Sequence, residues 1–175
     1  MGKLILDGEI VDNQWQRFDA GQLEQESLPD SGAVIVPLAY WKEHKAALLE
    51  RSDPVGVCLE PGEEPVDLAE DLAALPLVAI HFPAFKDGRG YSYARELRTR
   101  YGFTGEVRAV GDVLQDQLFY MHRVGFNAFE VRADRDIEQA LNNGLRPFTV
   151  TYQADVHDNR PIYRRRHELE EVSDV

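Results

Sequence analysis

The stretch Leu77-Val78-Ala79-Ile80-His81-Phe82, continued by Pro83-Ala84-Phe85-Lys86-Asp87-Gly88-Arg89-Gly90 and by Tyr91-Ser92-Tyr93-Ala94-Arg95-Glu96-Leu97-Arg98-Thr99-Arg100-Tyr101-Gly102, decides how the chain is read. The nearly continuous apolar run is the pattern of a strand buried on both faces. Two glycines then let the chain turn, a helical period runs from Gly90 to Tyr101, and Gly102 stands where a left-handed cap stops a helix. The same succession recurs on either side. Strands are expected to begin near Ala33, Pro54, Leu77, Glu106, Asn127 and Phe148. Helices are expected over Ala39 to Arg51, Pro65 to Ala74, Gly90 to Tyr101, Val113 to Val124 and Asp136 to Asn143, with Gly125 and Gly144 as further stops. Strands alternating with helices imply right-handed crossovers, hence an α/β fold of successive βα units with a mainly parallel sheet. An open sheet and a partial barrel both satisfy the pattern, whereas six units are too few for a complete eight-fold barrel of roughly 250 residues.

Ahead of this core, Leu4 to Leu6, Asp7-Gly8 and Glu9 to Val11 read as a β-hairpin, because Asp-Gly supplies the positive-φ turn between two apolar stretches. Trp15 and Phe18 are expected to anchor it, and the polar stretch from Asp19 to Gly32 reads as a connector. The organisation is one domain of 175 residues: a hairpin and connector over 1–32, an α/β core over 33–155 and a tail over 156–175. In that tail, Arg164, Arg165 and Arg166 are balanced by Glu168, Glu170 and Glu171.

Composition narrows the function classes. A net charge of −12 disfavours nucleic acid and anionic membranes as partners. The apolar stretch after Met1 is too short for a signal peptide or a membrane span, so a cytoplasmic location is expected. Leu6 also breaks the myristoylation pattern that Gly2 would begin. Cys58 is the only cysteine, so neither a cysteine-held iron-sulfur cluster nor a four-cysteine zinc site is expected. Its place in the run Val55, Val57, Leu59 reads as structural. The five histidines show no His-x-x-x-His spacing, so no metal is assigned.

In parallel α/β folds, sites gather at the carboxyl ends of strands. That rule points to Lys42, to Phe85 through Ser92, to Gly111 and Asp112, to Arg132 through Asp134, and to Tyr152 and Gln153. The Gly88-x-Gly90 turn opens a helix whose free amides, with Lys86 and Arg89, suit an anion. It is not a dinucleotide fingerprint, since Tyr93 stands where a third glycine or alanine belongs. Arg108, a charge inside a strand, requires a carboxylate or a ligand. The candidate anion-binding set is therefore Lys86, Gly88, Arg89, Gly90, Ser92 and Arg108, with Arg89 and Arg108 expected to converge. The plain alternative is a glycine-supported connection with solvated arginines. Asp112 and Asp116, four residues apart, are candidate acid-base groups, against the alternative of an N-cap plus an exposed acid.

Phe85 through Ser92, Arg95, Arg98, Arg108 through Leu114, Asp116-Gln117 and Gly125-Phe126 together resemble the bacterial family filed as domain of unknown function 934. Members of that family carry labels as oxidoreductases involved in sulfite reduction. The resemblance implies an association with assimilatory sulfite reduction. One cysteine cannot hold the redox apparatus of a six-electron reduction. The implied role is thus an accessory that docks on sulfite reductase or binds a small sulfur oxyanion, its cofactor unknown. The alternative is a cofactor-dependent or acid-base enzyme acting on a small phosphorylated or carboxylated metabolite.

Overall fold

The computed structural model describes residues 2–84, 86–145, 153–161 and 164. The expected strand near Phe148, Tyr152, Phe85 and the tail from Arg165 onward lie outside them. The elements are β1 (Lys3–Leu6), β2 (Glu9–Asp12), β3 (Trp15–Arg17), α1 (Ala20–Gln25), β4 (Ala33–Pro37), α2 (Leu38–Leu49) and β5 (Val55–Leu59), then β6 (Leu77–Phe82), α3 (Arg89–Thr99), β7 (Glu106–Gly111), α4 (Leu118–Val124), β8 (Ala128–Phe129) and α5 (Ile137–Gln139). The strands form one sheet in the order β2-β1-β8-β7-β6-β5-β4-β3. Strands β3 to β8 run parallel, while β1 lies antiparallel to both β8 and β2.

This sheet is a curled half-barrel. Its two edge strands, β2 and β3, are successive in sequence and joined only by Asn13 and Gln14. Three Cα steps hold the ends of those strands within about 11 Å of each other, so the curl brings the sheet's edges together at that corner. Side chains alternate between two faces. Val34, Val36, Val57, Leu59, Val78, Ile80, Phe82, Val107 and Ala109 share one core with helix residues such as Trp41, Tyr93, Leu97 and Met121. Ile35, Cys58, Leu77, Ala79 and Val110 form a second, smaller core inside the curl, capped by Trp15 and containing no helix residue. Helices thus cover the outside, and the inner layer is packed by the strands themselves.

Local chemistry explains the joints. Asp7 at φ 50° and Gly8 at φ 83° make the primed turn of the N-terminal hairpin, which pairs Ile5 with Phe129 and extends the sheet. Gly90 is required for packing rather than for turning: a Cβ there would stand 2.6 Å from the Phe82 ring and 2.8 Å from Ile80. Gly102 and Gly125 take the positive φ expected of helix stops.

Several expectations are corrected. Trp15 belongs to a strand of its own, and the connector contains α1, held by a capping box between Asp19 and Gln22. Pro65 to Ala74 forms a 3-10 turn over Pro65–Leu68 followed by irregular turns. After β7 the chain makes a 3-10 turn at Gln115–Gln117, and α4 begins only at Leu118. Gly144 lies inside a π-helical turn, where a Cβ would stand 2.4 Å from the Gln115 carbonyl oxygen. No helix among the described residues is long and apolar enough to cross a membrane.

Candidate functional site

The glycine turn has the predicted place but not the predicted electrostatics. Gly88 precedes α3 without a side-chain cap. Arg89 is spent on Asp87, with Nε to Oδ1 at 3.0 Å and Nη2 to Oδ2 at 2.7 Å. Those bonds from Arg89 hold the Asp87 carboxyl below its ordinary range. Lys86 and Ser92 are exposed.

Arg108 lies elsewhere. Its neighbours Val107 and Ala109 face the helix-covered core, so alternation turns Arg108 into the curl, on the opposite side of the sheet from Gly90. There it is 1% exposed, donating from Nε to Glu106 Oε1 at 2.6 Å and from Nη1 to Asn13 Oδ1 at 3.0 Å. The expected convergence of Arg89 and Arg108 does not occur; the sheet separates them.

Asp112 and Asp116 do not share a helical face either. Gly111, at φ 95°, turns the chain, and the Asp112 amide donates to the Phe82 carbonyl at 2.7 Å. The Asp112 carboxylate receives Arg132 Nη1 at 2.8 Å, while Asp116 sits exposed in the 3-10 turn. Arg132 is also gripped by Asp134, whose carboxyl is pulled down to about 2 by that contact.

A different group of side chains occupies the carboxyl-end mouth of the half-barrel. His81, on the inner side of β6, meets Glu60, just beyond β5, with Nδ1 and Oε2 2.6 Å apart. A carboxylate only accepts, so Nδ1 carries the proton and a neutral ring leaves Nε2 as a base. Gly111 fits over that ring: a Cβ there would stand 2.9 Å from Nε2 and 2.4 Å from the Phe82 carbonyl oxygen. Glu63 accepts from the Glu60 amide at 2.8 Å, and burial raises its carboxyl above the ordinary value.

Two open clefts of about 480 Å³ each share Asn13, Arg17 and Glu130; the second lies at the carboxyl ends of β7 and β8 and includes Gly111, whereas the first runs past the amino ends of β3 and β4. Arg17 Nε is buried with no hydrogen-bond partner among the described residues. An unsatisfied buried donor costs about 1–3 kcal/mol, a cost that a bound acceptor would remove. Burial raises the Cys58 thiol to about 12, with Glu60, Arg17, Glu63 and Glu130 all acting on it electrostatically. Among the described residues no group of three metal-ligating side chains is present. The arrangement can bind an anion and move a proton.

Sequence reading named neither Arg17 nor the Glu60–His81 pair. The carboxyl-end rule had the information for the pair, because Glu60 and His81 are the first ionisable residues at the ends of two adjacent apolar runs. No curated protein matches this chain. The profile of one family matches residues 56–163, a span that includes Glu60, His81, Gly111 and Glu130 and leaves Arg17 ahead of it. That match covers more than half of the sequence, and the chain belongs to the family described as bacterial protein of unknown function (DUF934).

Proposed function

We propose that this protein binds a small anionic metabolite at the mouth of the half-barrel and transfers a proton on it. The observation that carries the reading is the buried Arg17 Nε with no partner among the described residues, on a cleft at the strand carboxyl ends where α/β sites gather. Arg17 would hold a carboxylate, phosphate or sulfur oxyanion. His81 Nε2 would take a proton from the bound molecule, with Glu60 stabilising the imidazolium until the proton is returned. Asp112 and Asp116 are not needed for this step.

The test uses the purified chain and a small-molecule extract of bacterial cells in D2O. Anionic metabolites retained by the wild type and released by Arg17→Gln support binding. Deuterium in the retained molecule, lost in His81→Gln and Glu60→Gln, supports proton transfer. An identical retained set for wild type and Arg17→Gln contradicts the site.

A second reading is an accessory role in assimilatory sulfite reduction through docking on the reductase. The family resemblance favours it, together with the exposed Lys86 and Arg95 on the α3 side, which form no ion pair with another described residue. On this reading, deleting the gene slows growth on sulfate and not on cysteine. Equal growth on both removes the reading.

A further inference from the structure

The first cleft has a charge pattern more specific than an anion site. Arg17 and Glu130 are its only charged lining residues among those described. Both are half-buried, and both also line the second cleft. Oppositely charged side chains facing one cavity usually pair, yet among the described residues no ion pair joins these two and neither forms a side-chain hydrogen bond. The second cleft's other cations do not take Glu130: Arg132 is bound to Asp112 and Asp134, Arg135 lies 3.8 Å from Asp134, and Lys3 is exposed. Asn13 lines both clefts with them. Its Oδ1 already accepts from the Trp15 amide and from Arg108 Nη1, each at 3.0 Å, which fixes the amide orientation and leaves the Nδ2 donors for the cavity. Trp15 and Ile35 supply an apolar wall.

A cavity that holds a guanidinium and a carboxylate apart, with an amide donor and an apolar wall, is complementary to a small dipolar ion. Resting on the anion-site reading above, we infer that the ligand is a zwitterion of the amino-acid class, its carboxylate on Arg17 and Asn13 Nδ2 and its ammonium on Glu130.

The experiment follows the Arg17 Nε–H resonance of the 15N-labelled full chain by NMR during titration with matched probes. These are glycine against acetate and methylamine, and leucine against 4-methylpentanoate and 3-methylbutylamine. The expected result is saturation by glycine or leucine at a concentration at least about tenfold below that of the corresponding carboxylate. Glu130→Gln should erase the advantage and leave the carboxylate affinity in place, and Arg17→Gln should erase binding of both. If the carboxylates bind as tightly as the amino acids in the wild type, or if Glu130→Gln keeps the advantage, the zwitterion inference is overturned while the anion site stands. If no carboxylate-bearing probe moves the resonance, both readings fall. The wild-type panel decides the first question even where a variant does not fold.

Discussion

Replacing Arg108 with Ala separates scaffold from site. The side chain is 1% exposed, and its removal strips the donor from Glu106 Oε1 and from Asn13 Oδ1 inside the curl. Breaking a buried ion pair by deleting one partner costs about 3–5 kcal/mol, because the other charge stays buried without compensation. For a domain of this size each kcal/mol shifts Tm by about 2–4 °C, so a fall of about 6–20 °C is expected. Urea unfolding followed by circular dichroism gives the free energy directly, and with a slope of about 1–3 kcal/mol/M the midpoint should move by at least about 1 M. Pairing the change with Glu106→Leu, as Glu106→Leu/Arg108→Met, should recover most of the loss, since an apolar pair carries no desolvation penalty. If Arg108→Ala alone unfolds within about 0.5 kcal/mol of the wild type, a range normal for surface substitutions, Arg108 is not a structural ion-pair partner and its assignment to the inner core is wrong.

Gly111→Ala should lower stability by about 2 kcal/mol or more, because a side chain meets both positive φ and a backbone carbonyl that cannot move aside; a melting temperature equal to that of the wild type would contradict this. Cys58, with its thiol at about 12 and its side chain buried, should react with a thiol reagent far more slowly in the native chain than in urea, and equal rates would refute a structural role. Burial alone would raise the Asp71 carboxyl, but bonds from Lys45 and from Trp41 Nε1 outweigh it and hold the group below its free value of about 3.9. Its contribution to stability is therefore present above about pH 4 and lost as pH falls through the folded value. Asp71→Asn should flatten that acid slope in pH-dependent urea melts, and an unchanged slope would sink the assignment. Arg89→Ala should leave stability unchanged, because Arg89 is 57% exposed and, among the described residues, paired only with its neighbour Asp87; a clear fall in Tm would show a role that the geometry does not.

The βα rhythm was legible because it is local. Apolar runs such as Leu77 to Phe82 and stops such as Gly102 and Gly125 encode their own conformation. Strand β3 was not legible, since Trp15-Gln16-Arg17 is too short and polar to show a period and exists as a strand only because β4 offers an edge. Arg108 was correctly read as a charge that needs a partner, but local alternation does not say which face the helices cover, so Glu106, two residues before it, was passed over for a distant ligand. Arg17 and Glu130 come from opposite parts of the chain and line one cleft only through the curl, which no local pattern encodes. The glycine turn drew attention because its residue types match anion-binding loops; Gly90 is instead explained by contact with Phe82 and Ile80.

The central claim, that the site is the mouth and not the α3 turn, is tested most directly by mapping backbone amide shifts of the 15N-labelled chain during titration with sulfite, phosphate and malonate. The account predicts saturable shifts that centre on Trp15, Arg17, Gly111 and Glu130 and disappear in Arg17→Gln. Shifts centred on Gly88 to Ser92, unaffected by Arg17→Gln, would contradict it.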